Sequence, residues 1–166
     1  LMRYARDVGV RHTHLNTNAL LLTPSKLNEV LDAGVRSFNV SVDGPRNLHD
    51  QIRGRTGAFD RTIEHLRNLV ALRDQWQLKI RMNFTVMRDN ASALPQVAGL
   101  AQQLGVQLYL NLATDRTFLF RDPQVSELAH IPANHLTGAL RQLEYAVRAD
   151  RRWLPRYADL GYIARS

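Results

Sequence analysis

Residues 38–54 read FNVSVDGPRNLHDQIRG, and the interpretation of the whole chain depends on this stretch. A β-branched run ends near Ser41, which predicts a strand because such residues pack well on a pleated surface. Asp43-Gly44-Pro45 follows it. An Asp before Gly is typical of a turn in which the carboxylate accepts hydrogen bonds from backbone N–H groups. We expect Gly44 to supply a backbone conformation that strains other residues. The stretch is therefore either a plain turn or part of a site.

Similar runs recur along the chain and alternate with helical patterns. The predicted strands are 11–17, 36–42, 78–87 and 106–112. Apolar residues at three-to-four spacing predict helices at 23–33, 58–76 and 91–104. Short turns between alternating strands and helices favour parallel strands joined by right-handed crossovers. The expected fold class is α/β.

The two ends of the chain are less regular. LMRYARDVGV has the pattern of the last turns of a helix that ends at Gly9, and Leu1 precedes Met2. A domain rarely begins inside a crossover helix, so we expect a fragment of a longer α/β barrel. The alternative is a compact doubly wound sheet with an ordinary N-terminal helix. At the other end, residues 113–166 form an extension with a predicted helix at about 133–150.

Composition excludes several classes of function. The chain has 166 residues, 45% of them hydrophobic, which is enough for one folded core. The net charge of +7 comes mostly from dispersed arginine, without the interleaved aromatics of an RNA-binding sheet, so no nucleic-acid partner is expected. No apolar run could cross a bilayer, and we expect a cytoplasmic protein without a membrane partner. Without cysteine, the chain's own thiolates cannot hold zinc or an iron–sulfur cluster.

Polar side chains occur where ligands bind in parallel α/β folds, near the carboxyl ends of the strands. Arg81, Asn83 and Thr85 alternate with apolar residues, so they share one face of the third strand. We expect that face to point into the barrel; the alternative is that it faces helices or solvent. His12 and His14 also share a face, but no third ligand is near, and no metal site is assigned.

Four segments resemble, in order and spacing, the motifs of radical S-adenosylmethionine (SAM) enzymes. NTNALLLT at 16–23 is similar to T-N-G-x-L-L-T, and VSVDGPRNLHDQIRG at 40–54 is similar to S-x-D-G-P…H-D-x-x-R. GAFDRTI at 57–63 fits the helix start that follows, and NFTV at 83–86 with Asn90 is similar to N-x-T-V…N. The resemblance covers residues 3 to 112 and is nearest to the peptide- and sulfatase-maturase branch.

The resemblance implies a partial, TIM-like (β/α)6 barrel in which the four strands occupy positions three to six. Residues 1–112 would then be part of the core domain. The family's C-x3-C-x2-C loop and its Gly-Gly-Glu segment would precede Leu1. With its [4Fe–4S] cluster, the full-length protein would cleave SAM reductively to a 5′-deoxyadenosyl radical that abstracts hydrogen, an oxidoreductase reaction. It would need an electron donor and act on a peptide or small-molecule substrate. The isolated chain is expected to be inactive, and no catalytic residue is named.

The resemblance also implies site residues. Ser41 would bind the ribose or carboxylate region of SAM, and Arg53 its carboxylate, which a guanidinium can hold bidentately; otherwise Arg53 is an exposed loop arginine. Asp43 either orders its turn or contacts SAM or substrate. Leu110 either packs on adenine or belongs to the core. The substrate side of the barrel would be lined by Thr17, Asn18, Arg81 and Asn83.

Other interpretations remain open at this level. His49 and Asp50 are adjacent, so their side chains diverge and do not indicate a catalytic dyad. A TIM-barrel lyase or isomerase acting on an anionic small molecule would need a Schiff-base lysine or a metal. Lys79, near the start of its strand, is poorly placed for that role. A non-catalytic binding module descended from the barrel would need neither.

Overall fold

The computed structural model describes residues 1–113 and, beyond them, residues 134, 137, 138, 140, 141 and 144. Four parallel strands pair in chain order: β1 (His14–Thr17), β2 (Ser37–Ser41), β3 (Lys79–Val86) and β4 (Gln107–Leu112). The predicted α/β class and the four parallel strands are confirmed. Within the described residues the sheet is open and does not close into a barrel.

Six α-helices accompany the strands within residues 1–113: α1 (Met2–Asp7), α2 (Pro24–Asp32), α3 (Arg46–Arg53), α4 (Ala58–Ala71), α5 (Arg73–Trp76) and α6 (Leu94–Gln103). The predicted helix 58–76 is divided at Leu72 into α4 and α5. Helix α3 was not predicted, because its residues read as a polar segment behind a turn. None of the described helices is long and apolar enough to cross a membrane.

The hydrophobic core lies between one face of the sheet and helices α2, α4 and α6. The largest side chains that it buries completely come from both layers: Phe38, Phe84, Leu27, Leu31, Leu66, Leu69, Met82 and Leu94. Burying apolar area in this way contributes about 25 cal/mol per Å². The apolar face of each strand is thereby fixed against the helices.

The opposite face of the sheet, which we call the polar face, carries polar or charged side chains throughout. Its members are His14, Asn16, Ser37, Asn39, Ser41, Lys79, Arg81, Asn83, Thr85, Gln107, Tyr109 and Asn111. The prediction that Arg81, Asn83 and Thr85 share a face, with the alternating apolar residues packed under the helices, is confirmed. No carboxylate occurs among these twelve residues. Twelve polar groups on one face require hydrogen-bonding partners, from water, from ligand or from one another.

Most of the 113–166 extension, including most of the predicted helix at about 133–150, lies outside the described residues. The six described positions in that region are helical. The division of the chain at residue 112 stays a prediction.

Candidate functional site

The end of β2 is covered by α3, which folds back over it. The backbone N–H of Asp43 donates to Nδ1 of His49 at 3.1 Å, so α3 is attached to the strand end six residues earlier. The Asp43 carboxylate meets Arg53, with 2.6 Å between Oδ2 and Nε. The two groups form an ion pair without the alignment of a hydrogen bond. The Asp43 side chain is 6% exposed and that of Arg53 28%, so Asp43 anchors a guanidinium that still reaches solvent.

His49 is completely buried and neutral. Because Nδ1 accepts the Asp43 N–H, the ring proton resides on Nε2, which has no partner among the described residues. Burial lowers the pKa of His49 below its ordinary 6.5; Asp43 opposes this shift and Arg53 adds to it. The 3.6 Å contact between Nδ1 and Asp43 Oδ2 is therefore not a charge pair. The ring also packs edge-on against Phe59, with 5.9 Å between centroids.

Asn90 joins the ends of β2 and β3. Its side-chain amide donates to the carbonyls of Asp43, at 3.0 Å, and of Thr85, at 2.9 Å. Its Oδ1 accepts the N–H of Met87 at 2.7 Å. Asn90 is completely buried, and each of its amide protons has an acceptor. The position of the Asp43 loop thus depends on the loop after β3.

Asp50 points away from His49 and caps the next helix. Its carboxylate accepts the N–H groups of Phe59, at 2.7 Å, and of Gly57, at 2.6 Å, at the start of α4. The bond from the Phe59 N–H is the main reason why the pKa of Asp50 is lowered. A negative charge there also complements the helix dipole. The prediction that His49 and Asp50 do not form a dyad agrees with these separate partners.

The loop after β1 is held by α4. Thr17 Oγ1 accepts the N–H of Ala19 at 2.9 Å, and the Ala19 carbonyl accepts from Nδ1 of buried His65 at 2.6 Å. Thr62 Oγ1 donates to the Asn18 carbonyl at 2.9 Å. Ala19 has φ +58°. This left-handed conformation explains why T-N-G-x-L-L-T has glycine at that position, and the flanking hydrogen bonds hold alanine in it here.

The structure brings some of the predicted site residues together and separates others. Ser41 lies on the polar face in register with Asn83, and its hydroxyl has no hydrogen-bond partner in the described part of the chain. Asn83 accepts from Asn111 at 2.8 Å. Arg81 lies further back on the same face, and Asn18 is exposed beyond β1. Asp43 brings Arg53 to the end of β2, so Arg53 is not a free loop arginine.

Thr17 and Leu110 are not brought to the polar face. Alternation along β1 and β4 places both on the side of the helices, and Leu110 packs against the core. The Asp43 carboxylate contacts Arg53 and His49, and it makes no hydrogen bond to turn amides in the described residues. The binding roles of these three residues stay predictions.

The expectation for Gly44 is corrected. Its φ is not positive, so left-handed strain does not explain the glycine. A Cβ there would lie 2.9 Å from Cδ2 and 3.1 Å from Cβ of Leu48. The turn needs glycine because α3 approaches it closely. Sequence reasoning also missed His49 as a core residue, although its place in the H-D-x-x-R motif was a usable signal.

A comparison with known proteins identifies the family. Residues 1–87 match the radical SAM superfamily. The chain belongs to this superfamily. An AdoMet-dependent heme synthase of Oleidesulfovibrio alaskensis is 32% identical over 120 residues, covering 70% of this chain and 30% of that protein.

Two further relatives match a similar share of the chain. An AdoMet-dependent heme synthase of Methanosarcina barkeri is 36% identical over 110 residues, or 66% of this chain and 30% of that protein. A PqqA peptide cyclase of Bradyrhizobium diazoefficiens is 29% identical over 117 residues, or 70% of this chain and 27% of that protein. The chain thus spans roughly 30% or less of the length of these relatives.

The superfamily implies SAM and a [4Fe–4S] cluster for the full-length proteins, and these two groups differ in how they fit this chain. The cluster does not fit, because the chain has no cysteine. Three or more His, Asp or Glu side chains grouped to hold a metal are also absent from the described residues. SAM does fit the end of β2. Arg53 is held by Asp43 through Nε alone, and its outer nitrogens have no partner in the described part of the chain. These nitrogens suit a carboxylate.

Proposed function

We propose that this chain supplies the SAM-binding carboxyl edge of a radical SAM enzyme, with Ser41 and Arg53 as its SAM contacts. The observation that carries the proposal is the Asp43–Arg53 pair, which holds a guanidinium at the strand end and leaves its outer nitrogens open. In this family, SAM and the cluster together provide the chemistry that abstracts a hydrogen atom from the substrate. The thiolates for the cluster would come from outside the present sequence.

Each residue has a separate task in this proposal. Arg53 binds the SAM carboxylate, and Asp43 fixes the direction of the guanidinium. Ser41 donates a hydrogen bond from the polar face. His49 and Asn90 hold the loop in place before SAM binds. The side chains of Ser41 and Arg53 then need little further ordering, which reduces the entropy lost on binding. The surrounding protein excludes water from the bound cofactor.

SAM binding to the purified protein tests the proposal by calorimetry. Arg53→Gln is expected to weaken SAM about 10- to 100-fold, because a hydrogen bond to a charged group contributes about 1.5–3 kcal/mol. Ser41→Ala should weaken it about threefold to tenfold. Arg55→Gln, an exposed arginine two residues further on, is the matched control and should leave affinity unchanged.

Decarboxylated SAM separates the carboxylate contact from a general loss of binding. Wild-type protein should bind it about as weakly as Arg53→Gln binds SAM. Arg53→Gln itself should bind both compounds equally. If Arg53→Gln still prefers SAM by the wild-type ratio, the assignment of Arg53 is wrong. Equal affinity of wild type, Ser41→Ala and Arg53→Gln for SAM would remove both assignments.

We also propose that the polar face binds a peptide substrate. Carboxamides at Asn16, Asn39, Asn83 and Asn111 can donate to and accept from peptide groups, and Asn39 Oδ1 is buried without a partner in the described residues. A relative named PqqA peptide cyclase supports this choice. Fluorescent peptide libraries titrated with SAM present should show saturable binding that Asn39→Leu weakens. An unchanged affinity in this variant would contradict the proposal.

A further inference from the structure

A cavity lies at the opposite end of the strands from Ser41 and Asp43. It opens where β3 and β4 begin and encloses about 450 Å³. Its walls consist of Arg73, Leu78, Lys79, Ile80, Arg81, Gly105 and Gln107. This volume falls within the range of small-molecule sites, about 300–1,000 Å³. Three of the lining side chains are cationic, and none is acidic.

Arg73 is the most informative of the three. Its Nη2 is buried and has no hydrogen-bond partner in the described part of the chain. A buried guanidinium N–H without an acceptor is costly, so the residue indicates a missing acceptor. The neighbouring Asp74 is exposed and does not line the cavity. A Cβ added to Gly105 would lie 3.9 Å from Arg73 Nη1, so the guanidinium stands directly beside the cavity wall at Gly105.

The other two cations, Lys79 and Arg81, also have no counter-ion among the described residues. Arg81 makes one long contact, from Nε to Oε1 of Gln107 at 3.3 Å. Lys79 is exposed at the first position of β3. Neither of these side chains, nor that of Arg73, forms a salt bridge in the described residues, although exposed pairs such as Arg46–Asp60 do form elsewhere. Three unpaired cations around one cavity create a positive potential that attracts an anion.

We infer that this cavity binds a small molecule bearing phosphate groups, a phosphate ester or a pyrophosphate. Guanidinium groups present paired N–H donors that match phosphate oxygens, and an ammonium adds a point charge. A single carboxylate would leave two of the three cations unneutralised, whereas a pyrophosphate group carries enough charge for all of them. The site is separate from the proposed SAM site, because it lies at the amino-terminal end of the strands.

Calorimetry with inorganic pyrophosphate at constant ionic strength tests the inference on the purified full chain. Wild type should bind saturably, and Arg73→Gln and Arg81→Gln should each weaken binding at least about tenfold. Arg67→Gln removes the same charge from an exposed position of α4 and should leave binding unchanged. Tricarballylate, a carboxylate trianion, should bind more weakly than pyrophosphate. Saturating SAM should leave pyrophosphate affinity unchanged.

Several results would overturn the inference. Wild-type protein that binds pyrophosphate without saturation would show that the cavity is not a binding site. Equal losses of affinity in Arg67→Gln and Arg73→Gln would show that only the overall positive charge of the protein attracts the anion. Tricarballylate binding as tightly as pyrophosphate would refute the phosphate assignment. If Arg73→Gln does not fold, Lys79→Gln decides, because the exposed Lys79 side chain does not support the core: an unchanged affinity there counts against the site.

Discussion

Replacement of Asp43 by Asn removes the negative charge of the Asp43–Arg53 pair and keeps the shape of the side chain. Breaking a fully buried ion pair costs about 3–5 kcal/mol, and an exposed pair contributes about 0–1 kcal/mol. The Asp43 side chain is 6% exposed, but Arg53 retains 28% exposure, so water can partly solvate the guanidinium that is left. We therefore expect a loss of about 2 kcal/mol in the free energy of unfolding, between those limits. For a chain of this size that corresponds to about 4–8 °C in Tm.

Urea unfolding followed by circular dichroism measures this loss, and a double-mutant cycle isolates the pair. Arg53→Met should cost more than Asp43→Asn, because it leaves a buried carboxylate unpaired. The double variant should be more stable than the sum of the single losses predicts, by about 1–2 kcal/mol. Asp60→Asn, which breaks the exposed pair with Arg46, is the control and should cost little. Additive losses, or equal effects of Asp43→Asn and Asp60→Asn, would refute the reasoning.

Three further predictions concern the same region. Burial lowers the pKa of His49 below 6.5, so the unfolded state takes up a proton at a higher pH than the folded state does. The free energy of unfolding should therefore fall as the pH drops below 6.5. In urea titrations this pH dependence should be weaker for His49→Gln and the same as in wild type for His12→Gln. Asp50→Asn should lower Tm at pH 7. The difference in Tm from wild type should shrink as the pH falls below 3.8 and through the lowered pKa of Asp50, because protonation of Asp50 then removes the same charge. A difference in Tm that stays the same in acid would contradict this. Gly44→Ala should destabilise the protein by about 1–3 kcal/mol through the contact with Leu48. As a control, Gly99→Ala in α6, where nothing crowds an added Cβ, should stabilise it by about 0.5–1 kcal/mol. Similar changes in the free energy of unfolding for both variants would argue against crowding at Gly44.

The strands and most helices could be predicted because their patterns reflect burial directly. Alternation along β3 separates Arg81 and Asn83 from the core, and the structure shows the same separation. The start of α2 could also be predicted from the sequence, since Thr23 is a typical capping residue. In the structure its Oγ1 accepts the Lys26 N–H at 3.4 Å. In these places one residue and its near neighbours determine the conformation, so a single sequence is sufficient.

Helix α3 could not be predicted from local propensity, because it is held by contacts to the end of β2, four to ten residues earlier in the chain. Its eight residues bury only His49, and their apolar side chains are limited to Leu48 and Ile52, one turn apart. The helix is fixed by the Asp43 N–H, by the ion pair to Arg53 and by the close approach to Gly44. Similarly, Leu110 was compatible with either face until the register of β4 against β3 was known. The residues that shape the site therefore follow from tertiary packing and not from local propensity.

The loops after β1 and β2, at the carboxyl ends of the strands, are held by segments that come later in the chain. Asn90 reaches the Asp43 carbonyl across 47 residues, and Thr62 and His65 reach the loop after β1 across 44 and 46 residues. During synthesis each loop therefore has to wait for the next strand–helix unit before it can be anchored. At about 5–20 residues per second this delay is roughly 2–9 s. These loops would therefore become ordered in chain order, one strand–helix repeat behind the strands that carry them.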